Sequence, residues 1–174
     1  HRIVIVGGGA GGLELATLLA NKAGKRGQAE ITLVDANMTH LWKPRLHEVA
    51  AGVLNADVDE LNYVAHAQRH RFKFIMGRMN GLDRQGKEVI LEAHVVEGEQ
   101  ILPERRLGYD TLVIAIGSNT NDFGTQGAAE HCIFLDKRSA AETFHRKFLN
   151  KYLKANQDPS ADPKHCSIAI VGAG

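Results

Sequence analysis

The sequence predicts an α/β fold built on a parallel sheet, with an antiparallel β-meander inserted into it. Three observations carry that expectation. An apolar run, "RIVIV", leads through a cluster of glycines into a helix-like pattern, and a second apolar run, "AEITLVDAN", ends in an acid. Alternating, β-forming stretches punctuated by Gly, Asn and Asp then fill the middle of the chain before a third apolar run, "YDTLVIAIGS". Finally, "IVIVGGG" near the start and "IAIVGAG" at the end read as one motif written twice.

The first run is nearly continuously apolar, the mark of a strand covered on both faces of a parallel sheet. Leu13, Ala16, Leu19 and Ala20 then recur at helical spacing. With residues 29–37 as a second strand these make a βαβ unit, for which a right-handed crossover is expected. Residues 38–52 are mixed, with a short helix predicted from Leu46, and residues 58–70 read as one further helix. "RFKFIMGRM", "GKEVILEAHVV" and "EQILPERRL" are the meander, and "YDTLVIAIGS" returns to a buried strand ending in Gly117 and Ser118. A helix is predicted over residues 137–154, then a polar linker, "NQDPSADPKH", and a last strand over residues 167–171.

Composition narrows the function classes. The 174 residues are 44% hydrophobic and 24% charged, enough to bury a core. Lys and Arg number 21 against 20 Asp and Glu, a balance with no pull toward nucleic acid. Cys132 and Cys166 lie far apart in no CxxC spacing, which argues against a disulfide framework, a zinc site or a redox dithiol and suits a reducing compartment. No run approaches the roughly eighteen apolar residues of a membrane-spanning helix. His66 and His70 stand at a spacing that can bind a metal, but with no third ligand they are expected on an exposed helix face, and no metal site is predicted.

Gly7, Gly9 and Gly12 fit GxGxxG between a strand and a helix. Gly7 permits a tight turn, Gly9 lets the backbone approach a pyrophosphate, and Gly12 allows helix and strand to pack closely. The helix start supplies unpaired N–H groups and a positive dipole end. Asp35, closing the second strand, can accept hydrogen bonds from ribose hydroxyls. FAD and NAD both use such a turn. A second turn begins at Gly172 and Gly174. By analogy of fold, two such turns separated by a meander indicate a two-dinucleotide flavoprotein, FAD at the first and NAD(P)H at the second. The fold class is thus a Rossmann-like FAD-binding domain with an inserted meander, stopping at the start of a second Rossmann-like domain.

Two stretches resemble one family closely. "THLWKPRLHEVAAG" (residues 39–52) is similar to the flavin-side loop of bacterial type II NADH dehydrogenases, the single-subunit NADH:quinone oxidoreductases. "YDTLVIAIGSNTNDFGTQGAAEHCIFLDKRSAAETFH" (residues 109–145) is similar to that family's closing strand and its connection into the NADH domain. The resemblance implies FAD contacts. Gly9, Ala10, Gly11 and Gly12 would cradle the pyrophosphate, and Asp35 with Ala36 would hold the adenosine ribose. Lys43 and Pro44 would lie beside the ribityl and isoalloxazine end, Met79 would present its backbone to adenine, and Ala115 and Gly117 would approach the flavin pyrophosphate. Ile116 stands where relatives often have threonine, and Arg45 where leucine is expected.

The implied chemistry is hydride transfer from NADH to flavin, then electron delivery to a membrane quinone. The flavin carries that reaction, so no acid–base catalyst is nominated. A sulfide:quinone oxidoreductase would want paired thiols near the flavin; Cys132 is instead expected to be buried and inert. A ferredoxin- or rubredoxin-reductase-like enzyme and a non-catalytic apo scaffold are the other readings left open. Residues 1–125 are expected to be the first segment of the FAD-binding domain, and residues 126–174 the connection into, and first strand of, the NADH-binding domain. On this view the chain is an N-terminal part, inactive alone and possessing edges that a partner copy would cover. The parent would sit peripherally on the cytoplasmic face of the bacterial inner membrane, touching it through a C-terminal part.

Overall fold

In a computed structural model, which describes residues 1–157 and 167–172, the first apolar run is strand β1 (Arg2–Val6) and the helical repeat after the glycines is α1 (Ala10–Leu19). A π-helical turn over Ala20–Gly24 continues α1 before β2 (Glu30–Asp35). The chain then makes β3 (Thr39–His40), a 3-10 turn over Lys43–Arg45, and two short helices, α2 (Leu46–Ala51) and α3 (Ala56–Asp59). β4 (Leu61–Asn62), α4 (Tyr63–His70), β5 (Lys73–Met76) and β6 (Met79–Asp83) follow. Next come β7 (Glu88–Leu91), β8 (His94–Val96), β9 (Glu99–Leu102), β10 (Arg105–Gly108) and β11 (Thr111–Ile114). Helices α5 (Ala128–His131) and α6 (Arg138–Gln157) come last.

These elements form two compact units. His1–Trp42 with Glu60–Ser118 make the first, and Lys43–Asp59 with the residues from Asn119 onward make the second. The first unit contains a parallel sheet of order β11-β1-β2-β5. Its central strands are covered on both faces, which is why they read as unbroken apolar runs. Ile5, Ile31 and Leu33 meet Leu13 and Ala16 of α1 and Tyr63 and Ala67 of α4. Val4, Val6 and Val34 point the other way, onto Val89, Leu91 and Tyr109. Each fully buried aliphatic side chain in these layers stabilises the fold by about 1.5–3 kcal/mol.

An antiparallel sheet of order β10-β7-β6 covers that second face, and β8 and β9 form a separate hairpin between β7 and β10. The predicted meander needs one correction. "RFKFIMGRM" is divided: Lys73–Met76 joins the parallel sheet beside β2, with Asp35 opposite Met76, and only Met79 onward is antiparallel. Residue pattern marks a strand but not its partner; α4 supplies the crossover that returns β5 parallel to β2.

Three other expectations change. The single helix over residues 58–70 is two helices, because Asn62 takes an extended conformation and its Oδ1 accepts from Ala65 N at 3.0 Å, capping α4. β11 is half-exposed rather than buried, with Ile114 at 52%, since among the described residues it is the sheet's edge, paired with β1 alone. Residues 167–172 form no strand, and Ile170 and Val171 are exposed; a strand exists only with a ladder partner, and none is present among the described residues. The "NQDPSADPKH" linker lies, beyond Gln157, outside the described residues, as do Cys166 and Gly174.

The second unit is organised by α2 against α6. Leu46, Val49, Ala50 and Ala141 are buried, and the His145 imidazole reaches the Ala50 carbonyl at 3.2 Å.

Candidate nucleotide-binding site

Gly7 leaves β1 with φ +105°, and its N–H donates to the Val34 carbonyl at 2.8 Å. A side chain there would strike the Ala115 carbonyl oxygen at 2.3 Å, and one on Gly12 would lie 1.9 Å from the Gly7 carbonyl oxygen. These two glycines are buried and exist for close packing. Gly9, Ala10 and Gly11 are exposed, and a Cβ on Gly9 or Gly11 would meet nothing within 4 Å. α1 starts from Gly9 with no side-chain cap. Its first N–H groups and its positive dipole end therefore face open space, the arrangement that accepts a phosphate. Tight glycines behind and bare backbone in front fit a pyrophosphate.

Gly8, which the GxGxxG spacing leaves free, is held from both sides in the structure. Its N–H donates to Asp35 Oδ2 at 2.7 Å, and its carbonyl accepts from the Tyr63 hydroxyl at 2.6 Å. A Cβ on Gly8 would lie 2.4 Å from the Tyr63 oxygen. Tyr63 is 2% exposed and stacks on Phe74 at 5.0 Å. Burial pushes its phenol upward, reinforced by the Asp35 charge, so the hydroxyl remains a donor. His40 Nδ1 lies 3.4 Å from the same oxygen; burial holds its imidazole below the ordinary value, opposed by Asp35 and Glu60. A glycine in the middle of three consecutive ones, at a position the motif leaves free, was the available signal. Nothing in the pattern pointed to Tyr63.

Asp35 Oδ1 also accepts from the Asn37 N–H (2.8 Å) and from Asn37 Nδ2 (3.1 Å). The carboxylate is thus fixed at the end of β2, half-buried, with Ala36 beside it. An ionised carboxylate offers about four lone-pair sites, so capacity remains for ribose hydroxyls.

Ala115 N donates to the Val6 carbonyl at 2.7 Å, which sets Ala115 against the turn, and Gly117 is exposed with φ +74°. Gly77 N donates to the Asp35 carbonyl at 2.8 Å, which brings the start of β6, with half-buried Met79, close to the end of β2. The turn, Asp35, Ala36, Met79, Ala115 and Gly117 therefore all lie at or just beyond the carboxyl ends of the parallel strands. The turn itself is at the switch point, where β1 has β2 on one side and β11 on the other, the usual ligand crevice of such sheets.

Lys43 and Pro44 belong to the second unit, exposed in the 3-10 turn, with the Lys43 ammonium 2.9 Å from Asp136 Oδ1. Gly172 is exposed with φ +85°. Arg45 pairs with Glu48 at 2.8 Å, and Ile116 is 70% exposed.

Two expectations are overturned. His66 and His70 do not face solvent: they are half-buried against α1, with His66 Nε2 2.9 Å from Thr17 Oγ1 and His70 Nδ1 3.2 Å from Asn21 Nδ2. The Thr17 hydroxyl already donates to the Leu13 carbonyl at 2.8 Å, so it accepts from His66 Nε2–H. Cys132 is exposed rather than buried, at the end of the four-residue α5 in extended backbone. Among the described residues no cluster of His, Cys, Asp or Glu could hold a metal. An open cleft of about 300 Å³ runs along α1 past Leu13, Glu14 and Thr17 and is bounded by His40, Trp42 and His66.

The family model for pyridine nucleotide-disulphide oxidoreductases matches residues 1–174. A type II NADH:quinone oxidoreductase of Haemophilus influenzae is 47% identical over 186 residues, covering 99% of this chain and 42% of that protein. A type II NADH:quinone oxidoreductase of Mycobacterium tuberculosis is 27% identical over 177 residues, covering 100% of this chain and 35% of that one. A solved structure of NDH2 from Plasmodium falciparum in complex with NADH superposes with a TM-score of 0.72 at 21% identity, covering 94% of this chain and 31% of that one, a likeness of fold. The chain spans about two fifths or less of the length of these relatives. With the whole chain matched by the family model, and strand, glycine turn, helix and acid in their places, this protein belongs to the pyridine nucleotide-disulphide oxidoreductase family.

Proposed function

We propose that this chain is the FAD-binding part of a type II NADH:quinone oxidoreductase, an enzyme that takes a hydride from NADH and delivers two electrons to a quinone. The overall balance is NADH, a proton and quinone giving NAD⁺ and quinol. The observation that carries the reading is the uncapped start of α1 with Gly9 and Gly11 open and Asp35 alongside, in a chain 47% identical to an enzyme of that name. Gly9, Ala10, Gly11 and Gly12 hold the pyrophosphate on backbone N–H groups, with Gly7 closing the turn behind. Asp35 and Ala36 hold the adenosine ribose, and the Met79 backbone meets adenine. Ala115 and Gly117 approach the flavin pyrophosphate, and Lys43 and Pro44 border the isoalloxazine. Bound FAD supplies the hydride acceptor; the residues of this chain bind it, orient it and shape its electrostatics.

Gly172 and Gly174 open the turn that takes NADH, so residues 1–125 are the first segment of the FAD domain and residues 126–174 lead into the NADH domain. A quinone is a lipid-phase substrate and NADH a water-soluble one, which supports a peripheral position on the cytoplasmic face of the bacterial inner membrane. Among the described residues no helix is long and apolar enough to cross a membrane. A homodimer fits the half-exposed β11 edge.

The test is the visible absorption spectrum of the purified protein, followed by release and identification of any bound nucleotide. Released FAD, lost in Asp35→Ala, is the expected result; a different nucleotide overturns the reading. The 174 residues contain one complete GxGxxG motif and are expected to hold FAD without turning over NADH, so NADH-dependent quinone reduction by them alone would refute that division of labour.

A further inference from the structure

Within the second unit, half-buried Asp136 anchors the turn that carries Lys43. Its side chain is 14% exposed, and each of its oxygens is engaged. Oδ1 lies 2.9 Å from the Lys43 ammonium and accepts from the Thr120 hydroxyl at 2.9 Å; Oδ2 accepts from the Thr120 N–H at 2.9 Å. Burial alone would push this carboxyl upward, yet the donors Lys43 and Thr120 outweigh it and hold it below the usual carboxylate range. Asp136 therefore carries its charge at neutral pH. It ties the 3-10 turn of Lys43 to residue 120, on the segment that follows β11. The other cation of that turn, Arg45, has its own acid in Glu48.

We propose that Asp136 is a positioning residue for the flavin: it fixes the Lys43 ammonium and offsets part of its positive charge, and so sets the flavin's reduction potential. The proposal rests on the reading of Lys43 as a neighbour of the isoalloxazine. A cation beside the ring favours the electron-rich reduced form. A carboxylate at 2.9 Å from that cation weakens the field the ring experiences, by an amount that grows as the surroundings exclude water. Removing the lysine charge and removing the aspartate charge must then move the potential in opposite directions. A clamp with a purely mechanical role has no reason to produce shifts of opposite sign.

The experiment is a spectroelectrochemical titration of the FAD-loaded protein and its variants. Lys43→Gln is expected to make the flavin midpoint more negative, Asp136→Asn to make it more positive, and Asp136→Glu to restore it toward the parent value. If Lys43→Gln shifts the midpoint and Asp136→Asn does not, the role given to Asp136 is wrong while the placement of Lys43 stands. If Lys43→Gln shifts nothing, the placement of Lys43 fails and the proposal with it. Shifts of the same sign in both variants also overturn it. Should Asp136→Asn not retain flavin, Asp136→Ser is read instead: it removes the same charge with a small polar side chain, the same positive shift is expected, and its absence counts against the proposal.

Discussion

The Tyr63 hydroxyl donates a 2.6 Å hydrogen bond to the Gly8 carbonyl, joining the first turn of α4 to the middle of the glycine loop. The same peptide residue is held from its other side by Asp35. Tyr63→Phe keeps the ring and its stack on Phe74 but leaves a buried carbonyl without its partner. A loss of about 1–3 kcal/mol is expected in urea unfolding, together with weaker nucleotide retention because the loop is no longer fixed. Unchanged stability would mean that water replaces the phenol there.

Gly11 and Gly12 separate binding from folding. Gly11→Ala puts a methyl into open space on a helix, where alanine is favoured over glycine by about 1 kcal/mol. The apo protein should be at least as stable as the parent, yet hold less flavin, because the methyl stands on the exposed face proposed for the pyrophosphate. Gly12→Ala drives a Cβ to 1.9 Å of the Gly7 carbonyl oxygen and should impair folding itself. Thermal unfolding read beside flavin stoichiometry distinguishes the two. Equal behaviour of the variants would contradict the division of the turn into packing and binding glycines.

Asp35 has two duties that substitution can part. Asp35→Asn keeps an acceptor for the Gly8 N–H, so most stability should survive, whereas Asp35→Ala orphans a buried donor at a cost of about 1–3 kcal/mol. Both should bind FAD more weakly, as each removes ribose-binding capacity. Calorimetric unfolding and a nucleotide titration of both variants check this, and tight binding by Asp35→Ala would exclude the ribose role.

Stability should fall as the solution is acidified through the histidine range. Burial first, then the positive charges of His70 and Arg69, hold His66 below its ordinary value of 6.5, and burial does the same to His40. An unfolded chain protonates these rings as pH drops below about 6.5, before the folded one does, so protons favour unfolding. The stabilisation is complete above that value and is lost as pH falls through the folded values. The urea midpoint should be flat from neutral pH to about 9 and decline below about 6.5, with a shallower decline in His66→Gln. A midpoint that rises on acidification would show that the rings prefer to be charged in the folded state.

The sequence by itself determined the local chemistry. The central strands were legible because β1 and β2 are buried on both faces. The turn was legible because only glycine satisfies the approach of Ala115 at Gly7 and of α1 at Gly12. Asp35 was legible from its place at a strand end. Tertiary structure decided what depends on partners. β5 belongs to the parallel sheet because α4 returns it beside β2, and β11 is half-exposed because, among the described residues, no strand pairs with its outer edge. Gly8 has no room for a side chain because Tyr63 arrives from residues far along the chain. His66 and His70, spaced as for a solvent-facing stripe, turn instead toward Thr17 and Asn21. Periodicity records which face of an element is apolar. It carries no record of which polar group will meet it there, since a hydrogen bond of a few ångströms is fixed only when two distant segments have packed.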